Sequence, residues 1–240
     1  VGVIGALFMV PALTDTLAQP SWEIGLKAGV GTTKLSGDDV KNFSVFVDTD
    51  NFLEGDIGDM RLGFVGGGYG TMHVNDQFGV RLEALYFQKG GKGNITGEVA
   101  GIPFTGDLTF KVDYFEVPLL AVFSFPAGTS GTFDVFAGPA LGFNLSGEME
   151  TEITVAGETQ AETSDLEDIK STDFGGVLGA GFTFSLTSVD LFFDARWEYG
   201  FTKIVDAEDD VDVKNNAFGF MAGVGFPLGG KGVTATGTTP

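Results

Sequence analysis

Residues 189–201 read V-D-L-F-F-D-A-R-W-E-Y-G-F. Odd positions carry Val189, Leu191, Phe193, Ala195, Trp197, Tyr199 and Phe201, and even positions carry Asp190, Phe192, Asp194, Arg196, Glu198 and Gly200. A repeat of two puts alternate side chains on opposite faces of an extended strand. At about 3.3 Å per residue, the segment can cross a bilayer as a tilted strand. One face is oily and aromatic, the other charged. The fold therefore turns on which face looks inward.

The same alternation recurs along the chain. It predicts strands over residues 22–32, 60–72, 78–88, 110–125, 132–146, 172–186, 189–201 and 216–228. Four of the intervening connections are long: residues 33–59, 89–109, 147–171 and 203–215. The first is polar and acidic with a short run at 43–47, and the second has enough β-formers for a hairpin projecting beyond the sheet. The third and fourth read as acidic connections. The remaining joins, near residues 74–77, 126–131 and 187–188, are short and rich in turn formers. An even strand count with alternating long and short connections is the pattern of an outer-membrane barrel, long loops outside and short turns in the periplasm.

Volume decides the inward face. The oily faces together carry about 36 large apolar side chains, far more than an eight-stranded barrel interior can hold. The opposite faces are rich in glycine and carry Glu23, Lys27, Arg61, Arg81, Glu83, Glu116, Asp134, Asp173, Asp190, Asp194, Arg196 and Glu198. Facing lipid, an Arg or Lys at mid-membrane would cost about 2–4 kcal/mol. These twelve residues are thus expected to line a narrow, salt-bridged lumen, with the oily side against lipid. Trp22, Phe125, Phe133 and Phe226 fall near one rim of that oily side. Tyr86, Phe143, Trp197, Tyr199 and Phe201 fall near the other. Both groups are expected to be lipid-facing or girdle aromatics.

Composition agrees with a membrane-embedded, exported chain. Of 240 residues only 19% are charged, yet the formal net charge is −20 and the mean hydropathy is +0.19. With no Cys, a disulfide framework and cysteine-ligated metal or haem are excluded. The acidic balance speaks against nucleic acid as a partner. Residues 1–18 read as the hydrophobic region and cleavage zone of a secretory signal peptide, with the cut after Ala18. Residues 19–228 are then the barrel, and 229–240, rich in Gly and Thr, a flexible tail.

Some of these strands resemble a known family. The run Asp113-Tyr114-Phe115-Glu116-Val117-Pro118-Leu119-Leu120 resembles the Y-x-E-[IV]-P-L strand of the PorT-like outer-membrane β-barrel domain family. So does Lys170-Ser171-Thr172-Asp173-Phe174-Gly175 leading into Gly179-Ala180-Gly181. Asp194-Ala195-Arg196-Trp197-Glu198-Tyr199-Gly200-Phe201-Thr202 is similar to the family's D-x-R-Y-x-x-G-[LF]-x strand, with Trp197 in place of Tyr. The resemblance implies an all-β, eight-stranded antiparallel up-and-down transmembrane barrel. The family's namesake supports a protein-secretion system, so an accessory role in secretion is one reading.

No catalytic constellation stands out. His73, the sole histidine, lies beside the short 74–77 turn, where it reads as a solvated turn residue. Residues 25–34 (G-L-K-A-G-V-G-T-T-K) lack the Gly-Lys-Ser/Thr ending of a phosphate loop. The acidic runs at 48–50, 148–152 and 206–212 lack the calcium-loop pattern with its Gly and terminal Glu, and read as solvated surface. The chain is expected to need no cofactor and no metal. It reads as a non-enzymatic outer-membrane protein with a structural or surface-interaction role. The alternatives are a narrow porin-like channel and the secretion accessory. Its expected partners are outer-membrane lipid and a protein reached through the outer loops or the periplasmic rim.

Overall fold

The computed structural model describes residues 20–37, 43–48, 51–99, 101–155, 157–166, 169–205 and 213–228. The stretches read as signal peptide and tail, residues 1–18 and 229–240, lie outside them, as do 206–212 and parts of the first long connection. In chain order the strands are β1 (Ser21–Ser36), β2 (Phe43–Asp48), β3 (Asn51–Asp59), β4 (Arg61–His73), β5 (Phe78–Val99), β6 (Ile102–Pro126), β7 (Gly131–Val155), β8 (Glu158–Asp165), β9 (Thr172–Ser185), β10 (Asp190–Gly200) and β11 (Lys214–Leu228).

Eight of them close a ring. β1 pairs β4, the order continues β5, β6, β7, β9, β10 and β11, and β11 returns to β1, every pair antiparallel. Closure leaves no unpaired edge within the membrane, where an unsatisfied backbone group has no water to turn to. The eight ring strands are those predicted from the alternation; five keep their predicted ends to within a few residues, and β5, β6 and β7 run well past theirs on the long-loop side. Large apolar side chains cover the outside: Leu26 is 64% exposed, Phe193 58% and Phe220 57%. In water such a surface would be an aggregation liability; against acyl chains it is the correct solvent match.

Residues 89–109 form the projecting hairpin that their β-formers suggest, whereas the first and third long connections depart from their reading as loops. β5 runs on to Val99 and β6 begins at Ile102, so residues 89–109 are a hairpin continuous with the wall. Residues 147–171, read as an acidic connection, hold the upper part of β7 and all of β8. Residues 33–59 contain β2 and β3, with β3 added to the upper part of β5. Above the ring these segments form one sheet in the order β2-β3-β5-β6-β7-β8. A one-residue irregularity, with Asp113 opposite Ser146 and Tyr114 opposite Asn144, marks where β7 leaves the ring.

The opposite end is trimmed close. In the 74–77 turn, Asn75 Oδ1 accepts the N–H groups of Gln77 (2.9 Å) and Phe78 (2.8 Å), an Asx turn that needs no further residues. Gly128 supplies a positive φ of 80° for the turn between β6 and β7. Cysteines placed singly at Thr163 and Asn75 check the orientation. On intact cells a membrane-impermeant maleimide should label Thr163→Cys and spare Asn75→Cys. The reverse pattern would invert the barrel.

Candidate functional site

Inward-facing side chains of the ring sort into tiers. At mid-height Arg196 and Glu83, each about 1% exposed, form the centre. Arg196 Nη1 donates to Glu83 Oε2 (2.8 Å) and its Nη2 to Glu83 Oε1 (3.2 Å), a two-pronged pairing that suits the planar guanidinium. Lys27 Nζ donates to Glu83 Oε1 (2.7 Å) and to Asp194 Oδ2 (3.2 Å). Arg196 also lies 3.5 Å from Glu198, whose other oxygen is 3.2 Å from Lys89 Nζ; Lys89 in turn pairs with Glu116. The result is one chain of ion pairs, Asp194-Lys27-Glu83-Arg196-Glu198-Lys89-Glu116, joining four of the eight ring strands: β1, β5, β6 and β10. Strand alternation puts each member inward, and glycines opposite give the long cations room: Gly219 sits beside Arg196 Cγ.

Below the chain, Tyr69 Oη donates to Glu23 (2.7 Å), and Arg81 Nε donates to Thr71 Oγ1 (3.0 Å) with its guanidinium over the Tyr69 ring at 4.9 Å. Asp134 accepts from Ser124 Oγ (2.6 Å) and Thr183 Oγ1 (2.8 Å). Asp190 is buried at the same end. Above it, Asp173 accepts from Asn215 Nδ2 (2.8 Å) and Thr202 Oγ1 (2.9 Å), and Arg61 Nη1 donates to the Lys89 carbonyl (2.5 Å). Thus Lys27, Glu83, Glu116, Asp194, Arg196 and Glu198 share one network. Glu23, Arg61, Arg81, Asp134, Asp173 and Asp190 stand outside it. Glu23 is the half-buried member of the twelve.

Apolar layers pack between the charges. Val65, Leu85, Phe87, Ala217 and Met221 form one, and Leu120, Val122, Phe136, Ala140 and Val177 another. Leu35, Ile204 and Val213, with Phe110 and Val205 against them, close the outer end. Beside Lys89, Glu116, Asp173 and Glu198 remains a cavity of about 10 Å³, room for about one water molecule. Glu116 Oε2, which faces away from Lys89, has no hydrogen-bond partner among the described residues.

Sequence reading missed Lys89, which it placed at the start of the connection 89–109, just ahead of Gly90, Gly91 and Gly93. Its odd-numbered place in the series Arg81, Glu83, Leu85, Phe87 was the available signal. The outer aromatics fall into two sets. Trp22 pairs in register with Leu228 and Met72, and Phe125 with Phe133, at the short-turn end. Trp197, Tyr199 and Phe201 follow one another toward the long-loop end as tilted rings, with centroids 5.8 and 6.0 Å apart. Trp197 Nε1 donates to Asn216 (2.8 Å), and Tyr86 Oη to Asp113 (2.5 Å). Phe143 packs with Phe115, and Phe226 lies opposite Ile24 in register.

A lipid-clad ring of eight strands around a packed, ion-paired interior defines a small integral barrel of the bacterial outer membrane. The chain belongs to the outer membrane protein beta-barrel domain family, whose model matches residues 17–206. No curated protein matches the sequence. Similar solved structures include Neisserial surface protein A (TM-score 0.42, 14% identity, covering 85% of this chain and 97% of that one). Others are the outer membrane protein OprG from Pseudomonas aeruginosa (0.39, 14%, 87% and 96%) and Ail, the attachment invasion locus protein of Yersinia pestis (0.35, 14%, 86% and 98%).

Removing one partner of a buried pair strands the other, at a cost of about 3–5 kcal/mol. Arg196→Ala should therefore lower unfolding stability in detergent micelles by about that much. Arg196→Met combined with Glu83→Gln should recover a substantial part of it. A double-variant loss equal to the sum of the losses in Arg196→Met and Glu83→Gln alone would show that Glu83 and Arg196 are not coupled.

Proposed function

We propose that this protein is a closed, non-enzymatic outer-membrane barrel that holds a water-exposed sheet at the cell surface for interaction with a protein partner. The observation that carries this reading is the ion-pair chain from Asp194 to Glu116, which spans the lumen at mid-height between apolar layers. A conducting path would have to break several of these pairs at once. The twelve lumen charges serve in this reading as internal cross-links between strands. The two aromatic sets anchor the wall at its two membrane interfaces, and residues 1–18 direct export.

The reading as a non-enzyme is supported by the place of His73. It ends β4 opposite Ser21 and Gly79, at the short-turn rim and away from the outer sheet. The likeness of residues 113–120 and 194–202 to the PorT-like domain supports a placement within that narrower group. No secretion role is carried over with it. A narrow porin-like channel is the competing reading, and the water-sized cavity beside Lys89 counts against it.

Purified protein reconstituted into planar bilayers should give no steady conductance at moderate voltage. Stable unitary currents from the unmodified chain would overturn the closed-lumen reading in favour of the channel.

A further inference from the structure

The barrel wall is edgeless, but the sheet above it is not. Among the described residues β8 pairs only with β7, and all eight of its residues are exposed. Which of its backbone groups are free follows from register. Leu166 N–H donates to the Gly147 carbonyl (2.9 Å), and this pair continues the series Glu148–Asp165, Met149–Ser164, Glu150–Thr163. Hydrogen-bonded pairs alternate in an antiparallel ladder. Ser164, Glu162, Gln160 and Glu158 therefore turn their N–H and C=O groups toward β7. Thr159, Ala161, Thr163 and Asp165 turn theirs outward, to the open edge.

Side chains beside this edge have a defined chemistry. The lumen-side face of the hairpin sets Thr151 opposite Glu162, Ile153 opposite Gln160 and Val155 opposite Glu158. These residues border a concavity of about 630 Å³. A Lys or Arg entering there would lay its aliphatic stem on Ile153 and Val155 and bring its charge to Glu158 or Glu162. A second copy of this chain is a poor occupant. β8 carries Glu158, Glu162 and Asp165 with no basic residue, so self-pairing would place like charges across the new ladder.

We propose that the free edge of β8 accepts an extended polypeptide strand in which basic residues alternate with small polar ones. The strand would pair with Thr159, Ala161, Thr163 and Asp165 through its backbone, and with Glu158 and Glu162 through its cations. This inference rests on the reading of the barrel as a surface platform and names its partner class. Backbone pairing supplies affinity and the alternate side chains supply selectivity, as in other strand-addition interfaces.

The test uses the full chain in phosphatidylcholine nanodiscs and a labelled octapeptide of alternating Lys and Thr, matched in length to β8. A second peptide has the same composition in two blocks, Lys then Thr. The alternating peptide should bind about tenfold tighter or more, and a ¹³C=O label in it should move to the extended-strand infrared position on binding. Ala161→Pro, which deletes an outward N–H while sparing the bonds to β7, should abolish binding with an unchanged thermal transition. Glu158→Gln with Glu162→Gln should weaken binding and flatten its salt dependence. Equal affinity for both peptides, or a label that stays disordered when bound, would overturn strand addition. A conducting barrel that still binds the alternating peptide would overturn only the closed-lumen reading. A silent barrel that ignores it would overturn only the edge assignment.

Discussion

Arg196 is a permanent cation, fully enclosed, in a wall whose other side is lipid. Such a charge is tolerable only where carboxylates and hydrogen bonds replace the water it has lost, since desolvation of each ion costs several kcal/mol. Glu83 meets it with both oxygens, and Lys27 shares Glu83 from another direction. The requirement reaches well beyond the pair. Glu83 stands on β5, Arg196 on β10 and Lys27 on β1, so the ion pairs bind strands that are far apart in sequence and not all neighbours in the ring. A slip of one residue in any of these strands would turn a charge toward lipid and its oily neighbour inward. The charged interior is thus also the register device of the barrel.

Glycine makes this arrangement feasible. An eight-stranded interior is just wide enough for its lining side chains, and here it holds Arg, Lys, Phe and Tyr together. Space comes from positions such as Gly179, where an added Cβ would lie 2.4 Å from the Phe136 ring, and Gly223, where it would lie 2.4 Å from the Phe192 ring. Phe136 in turn carries the Arg196 guanidinium at 5.5 Å, so one small residue seats an aromatic ring that seats a cation. The lumen is tightly packed because large and absent side chains alternate around it.

How much of this could be read from the chain depends on what alternates. Residues 189–201 announce a strand because one face is oily and the other charged; the structure moves its ends by only a residue at each side. The ring strands follow for the same reason. β8, with the sequence ETQAETSD, has polar residues on both faces, so no period of two exists to detect, and only the pairing with β7 reveals it. Lys89 was hidden by the opposite signal, a cluster of glycines that looks like the end of a strand. Gly90 does adopt a positive φ of 129°, yet the strand continues through it in unbroken pairing with Lys111 of β6, and its carbonyl accepts from Thr33 Oγ1 at 3.0 Å. Which carboxylate would meet which cation was not legible, since Lys27 and Glu83 are 56 residues apart and Arg196 and Glu83 are 113 apart.

Closing the ring solves the edge problem inside the membrane and creates it again outside. Once β5, β6 and β7 extend past the outer rim, the ring strands β1, β4, β9, β10 and β11 no longer accompany them. The extended sheet must end somewhere in water, at β2 and β8. A polar, acidic strand at such an end suppresses pairing between identical copies, which share its charge. It does not suppress pairing with a strand of opposite charge. The composition that keeps β8 from aggregating therefore also restricts what it can bind. The rigidity of the ion-paired barrel beneath it keeps the shared strands β5, β6 and β7 in register as they leave the membrane, and so keeps that edge extended and ready.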